Sequence, residues 1–167
     1  MKKEIESGIS LIEILVVVTI FATLGVIVSS SLILTIQGTK KSESLIRVRE
    51  NLNYSLAVIE RNIRNANEII GCPYSNASQI TYLDKNGIST SFSCVGVGQP
   101  DSYIASGSAA LARLTSNTIK ITSCSFTCTQ DSSNPPSVTV NVAVQDASAT
   151  GVQSSSVTAE SKIYLRN

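Results

Sequence analysis

The chain has 167 residues, no histidine, three phenylalanines and five tyrosines, and its formal net charge is +1. That length leaves room for one modest domain beside an apolar segment. The near-zero charge argues against a broad basic field for nucleic acid, and the missing histidine removes the commonest general base and metal ligand.

A short charged stretch, Met1 to Gly8, comes first, and Ile9 to Ile36 follows as an apolar run with a single charge, Glu13. At about 1.5 Å per residue this run can cross a hydrocarbon core of about 30 Å with some tilt. A carboxylate inside such a run costs on the order of 2.5–3.5 kcal/mol, so it needs a partner. An ordinary secretory signal has a shorter apolar region of about 7–15 residues with small residues after it. Here Ser7-Gly8 precede the run. Left uncut, the segment would be a plain signal anchor, with Glu13 close enough to the surface to reach water. Charge does not fix the orientation: Lys2 and Lys3 precede the run, but Lys40, Lys41, Arg47 and Arg49 follow it,. Four cysteines in a small polar portion fit an oxidising compartment,.

From Thr39 to Ile70 there is neither Gly nor Pro, and Leu45, Val48, Leu52, Leu56, Ile59, Ile63, Ala66 and Ile70 recur at spacings of three and four. This is the pattern of an amphipathic helix with one buried stripe. Gly71-Cys72-Pro73 supplies its stop,. The chain therefore divides into a leader (1–8), a membrane-spanning half of a helix (9–36), an amphipathic outer half (37–70) and a sheet domain (71–167).

Beyond Pro73 the period changes to two. Ile80 to Leu83 lead into the turn signal Asp84-Lys85-Asn86-Gly87, and Ile88, Thr90, Phe92 and Cys94 then share one face,. Ser102 to Thr115 fits strand, loop or short helix. Ile119 and Ile121 open another strand, but Cys124, Phe126 and Cys128 have the opposite parity, which a bulge or strand end near Ser123 would reconcile,. Pro135-Pro136 breaks the chain; Val138, Val140, Val142 and Val144 then alternate strictly, and Lys162 to Leu165 close the sheet. An antiparallel sheet with one apolar face needs a cover, and the striped half of the helix supplies it. The expected fold class is α+β.

The string Gly8-Ile9-Ser10-Leu11-Ile12-Glu13 resembles the class III signal of type IV prepilins and of the pseudopilins of secretion systems. Ile9 departs from the phenylalanine common at the first mature position. The resemblance implies a pilin-like fold, cleavage between Gly8 and Ile9 by a prepilin peptidase, and N-methylation at Ile9. It also implies that Glu13 neutralises the N-terminal amine of a neighbouring subunit during assembly. The expected location is a single pass of the inner membrane, with the N-terminus cytoplasmic, the bulk outside, and the mature chain assembled into a pilus or pseudopilus. Its expected partners are other pilin or pseudopilin subunits, the peptidase, the inner-membrane assembly platform and the lipid bilayer. The stretch Glu60-Arg61-Asn62-Ile63-Arg64 further resembles PulJ/PilW-type minor subunits, with Asn62 in place of an aspartate. Arg61 and Arg64 are then candidates to meet acidic groups on a partner.

Four cysteines allow three pairings. A Cys72–Cys94 bridge would staple helix to sheet. Cys124 and Cys128 would then pair locally, although four residues of straight strand span about 13 Å and bridged Cα atoms lie within about 7 Å. The chain must turn at Ser125-Phe126-Thr127, or these two pair elsewhere. A four-cysteine zinc site is disfavoured by the spacing and by export. No catalytic residue, cofactor or metal is expected: no glycine-rich phosphate loop precedes a helix, and the serines lie at alternating strand positions. Asn53-Tyr54-Ser55 and Asn76-Ala77-Ser78 match the short glycosylation pattern. The rival readings are a membrane-tethered binding module, for adhesion or DNA uptake at a pilus tip, and a membrane-anchored enzyme.

Overall fold

The computed structural model describes residues 10–166 apart from 72, 109, 132–133, 149–150 and 152–153. Among the described residues one helix, α1 (Leu11–Arg64), precedes eight strands, so the class is α+β with the pilin-like element order that the sequence predicts. By its internal contacts the chain forms two units, one up to Lys40 and one from Lys41 onward.

Among the described residues of the first unit, and on to Glu43 at the start of the second, no side chain is buried. Every described side chain from Ser10 to Glu43 is exposed, including the apolar residues from Leu11 to Ile36. Helix α1 is long and apolar enough to cross a membrane.

In the second unit the same helix carries one buried stripe: Ser44, Val48, Leu52, Ser55, Ile59 and Ile63, at steps of four, four, three, four and four. Burying such a Val, Leu or Ile is worth about 1.5–3 kcal/mol relative to leaving it in water. The buried Ser55 hydroxyl donates to the Leu52 carbonyl at 2.9 Å, so it needs no partner from the sheets. Leu45 and Leu56 flank the stripe half-buried.

The helix ends at Arg64, not at Ile70 as its sequence spacing predicts. Three asparagines lie near this point, at 62, 65 and 67. Asparagine competes for backbone hydrogen bonds and favours turns. Asn65 bonds the Arg61 carbonyl through both its main-chain N–H and its side chain, and the Asn67 N–H donates to Leu83 across a strand pair. Strand β1 (Glu68–Ile70) therefore begins where the helical pattern was still running, and Ile69 becomes buried while Ile70 turns outward.

The strands form two antiparallel sheets where the sequence led us to expect one. Strands β1, β2 (Gln79–Leu83), β3 (Ser89–Val95), β4 (Tyr103–Gly107) and β5 (Ala112–Arg113) make a five-stranded meander. Strands β6 (Ile119–Asp131), β7 (Asn134–Asp146) and β8 (Ser156–Tyr164) make a three-stranded one. The ambiguous stretch 102–115 resolves into β4 and the two-residue edge β5. At the β2–β3 turn, Asp84 accepts the Asn86 and Ile88 N–H groups at 2.8 Å each, and Gly87 takes a φ of 75°. This holds Ile88 out in solvent, off the apolar face that its parity predicts. Phe92 is fully buried and stacks on Tyr82 at 5.4 Å.

Strand β6 contains the irregularity that its parity change predicts. Its register against β7 slips between Ile121 and Ser123, leaving Thr122 as the extra residue. The slip lets Ile119 and Ile121 on one side, and Phe126 and Cys128 on the other, all reach the core. Pro135-Pro136 does not break the chain as expected; both lie in β7, next to a second register shift near the hairpin. The Pro136 carbonyl still accepts the Leu165 N–H at 3.0 Å, so a strand end tolerates the missing N–H groups,.

Val138, Val140, Val142 and Val144 are fully buried and join the helix stripe, Ile80, Phe92 and Ile104 in one core. Ile59→Ala is expected to lower unfolding free energy by about 2–5 kcal/mol, whereas Ile46→Ala, on the exposed side of the same helix, should change it by less than about 0.5 kcal/mol,. Denaturant titration of the full chain in detergent, followed by near-ultraviolet circular dichroism, measures both.

Candidate functional site

The start of α1 concentrates the unusual chemistry. Ser10 precedes the first helical residue, and its carbonyl accepts the Glu13 and Ile14 N–H groups at 3.0 and 3.3 Å. Glu13 thus lies in the first turn, where the partial positive charge of the helix terminus favours a carboxylate by about 0.3–1 kcal/mol,. That is well below the 2.5–3.5 kcal/mol that a carboxylate costs in hydrocarbon. The Ser10-Leu11-Ile12-Glu13 spacing also matches a capping box, a signal the sequence reading missed. The capping box is not formed: the Glu13 N–H donates to the Ser10 carbonyl rather than to its hydroxyl.

Several hydroxyls along the apolar half are satisfied within the helix. Thr19, Thr23, Ser30, Thr35 and Thr39 each donate a hydroxyl to a carbonyl three or four residues back, at 2.8–2.9 Å. Such back-bonding lets a hydroxyl enter an apolar medium without an orphaned donor. Glu13 has no such outlet. Among the described residues the ion pairs are Arg47–Glu43 and Arg64–Glu60, and neither involves Glu13. The two residues expected to flank the cut, Gly8 and Ile9, lie outside the described residues, as does the rest of the leader.

The structure corrects the cysteine pairing. Cys94 of β3 is bonded to Cys124 of β6, with Cα atoms 6.1 Å apart, so neither the Cys72–Cys94 nor the Cys124–Cys128 bridge forms. Strand β6 runs through Ser125-Phe126-Thr127 without the turn that a Cys124–Cys128 bridge requires. Cys128 is also disulfide-bonded, and its N–H donates to the Pro73 carbonyl at 2.7 Å; Cys72 lies outside the described residues. The Cys94–Cys124 bond ties one sheet to the other beside the reciprocal Ala77–Phe126 main-chain bonds. Parity carried the signal: Cys94 shares a strand face with Phe92, and Cys124 with Phe126. What was missing was that the two strands belong to facing sheets.

At the other end of α1, Arg64 is engaged by Glu60 one turn earlier, so it is not held ready for a partner. Arg61 is exposed and Ile63 is buried in the core. Among the described residues no three Cys, Asp or Glu side chains gather as a metal-holding group. Comparison with family models, with characterised proteins and with solved structures gives no significant match.

Replacing Cys94 and Cys124 together by serine is expected to lower stability by roughly 3–4 kcal/mol, the entropy of closing a 30-residue loop,. Peptide mapping without reduction should recover the 94–124 linked pair; recovery of a 72–94 pair would contradict the structure.

Proposed function

We propose that the chain is a structural subunit of a type IV pilus or of a secretion pseudopilus, anchored by residues 9–36 and assembled through them. The observation that carries this reading is Glu13: a carboxylate that pairs with no cation among the described residues, in the first turn of a long apolar helix. A buried carboxylate lowers the energy only where a cation meets it. Cleavage after Gly8 would create such a cation at Ile9, and the amine of a neighbouring copy or related subunit would meet Glu13 as helices bundle. In this reading the chain performs no chemistry. It is a substrate for a prepilin peptidase and for N-methylation, and the Cys94–Cys124 bond fits an exported domain,. The Glu60 to Arg64 stretch favours a minor subunit over the bulk one.

Intact-mass analysis of membrane extracts should find a chain that begins at Ile9 and carries one added methyl. A chain still beginning at Met1 in cells with an active prepilin peptidase would remove the central argument. In sheared filaments the same chain should be far less abundant than the main subunit.

Glu13→Ala should abolish incorporation into filaments while membrane levels stay equal to or above wild type, because the neutral helix inserts more easily. The ratio of sheared-filament to total-membrane protein measures it. Equal ratios for variant and wild type would make Glu13 incidental.

A further inference from the structure

A polar pocket of about 170 Å³ lies where the last turns of α1 meet the β2–β3 turn, lined by Arg61, Asn62, Asn65, Tyr82, Asp84 and Lys85. It is smaller than the roughly 300–1,000 Å³ of drug-sized ligand sites. Its volume suits a single side chain.

The lining carries two cations and one carboxylate, and that carboxylate is already committed. Its Oδ1 accepts the Ile88 and Asn86 N–H groups and its Oδ2 faces the Asn86 amide at 3.4 Å. Led by the Ile88 bond, these contacts hold the Asp84 carboxyl below its usual range, so it stays ionised as part of the turn. Tyr82 is pushed up by burial and keeps its proton, with Thr90 as its side-chain partner. The Lys85 charge adds a smaller lowering of Asp84, but among the described residues neither Lys85 nor Arg61 is in an ion pair within 4 Å. Asn65 donates its amide to the Arg61 carbonyl. The lining thus carries one more cation than anion, with its carboxylate already hydrogen-bonded within the turn. A guanidinium presents a planar fork that matches a carboxylate in two parallel hydrogen bonds.

We propose that this pocket receives the carboxylate of an acidic side chain from a neighbouring filament subunit, with Arg61 as the bidentate donor and Lys85 as the second cation. This rests on the filament reading for the source of the carboxylate, though not for its binding. Arg64, held by Glu60 on the same helix, is not part of the pocket's lining.

The test uses the full ¹⁵N-labelled chain in zwitterionic detergent micelles, titrated with N-acetylglutamate α-amide, whose only charge is the side-chain carboxylate. Saturable shifts are expected at the Arg61 Nε–H and the Asn62 and Asn65 amides, absent with N-acetylglutamine α-amide and lost in Arg61→Gln. No saturable shift, or equal shifts in Arg61→Gln, would overturn the site. In cells, Arg61→Glu should lower filament incorporation about fivefold or more at unchanged membrane level and leader processing, and Arg61→Lys should retain part of it. Saturation by inorganic phosphate as strong as by the glutamate probe, with incorporation of Arg61→Glu unchanged, would identify a free anion and overturn the subunit as the source. Should Glu13→Ala assemble normally while the micelle shifts persist, the filament reading falls and the carboxylate pocket stands.

Discussion

A single helix here must satisfy two surroundings along its length, and the rest of the chain follows from that demand. From Leu11 to Ile36 large apolar side chains predominate, and among the described residues they are exposed. From Ser44 to Ile63 only one stripe is buried, against the chain's own sheets. The first pattern gains energy only from an apolar medium outside the molecule; the second gains it by folding. Hydrophobic burial is non-directional, so the partition has to be written in where charges stand. Lys40, Lys41 and Glu43 mark the change.

The folded unit builds its core from two small meanders with few aromatics, and the valine row of β7 carries much of it. Two meanders that share one core need a fixed relation to each other. The Cys94–Cys124 bond between β3 and β6 supplies that relation, together with the main-chain pair between Ala77, just before β2, and Phe126 of β6. The slip at Thr122 is part of the same solution. Without it, either Ile121 or Phe126 would face solvent, since a shift of one residue exchanges the two faces of a strand,.

What was legible in the sequence was what depends on period. The helical stripe, the β2–β3 turn, the alternation of β7 and the parity change of β6 all reappear in the structure. What was not legible depends on contacts between segments distant in sequence. The helix stops at Arg64 because Asn67 finds Leu83 across a strand pair, a tertiary gain that local spacing cannot report. The split into two sheets is of the same kind, and the cysteine pairing failed with it. A single sheet left Cys72 as the natural partner for Cys94. In the candidate site, Glu13 was visible as an isolated charge, whereas which hydroxyls of the apolar half bond back to the helix required coordinates.

Charge placement along α1 follows one further logic. Glu43–Arg47 and Glu60–Arg64 are both spaced by four with the acid N-terminal, the favourable orientation, and each stabilises the helix by about 0.2–0.5 kcal/mol,. These pairs close the helix's charge on itself and ask nothing of a neighbour. Glu13 and Arg61 are not closed in this way, and they are of opposite sign at opposite ends of α1. A free carboxylate in an apolar run is costly to leave unmet, while an exposed guanidinium costs little in water and gains only when desolvated by a partner. The two sites therefore differ in kind. In a filament the first would act as a requirement on every subunit that enters, and the second as a preference among the subunits that could stand beside it.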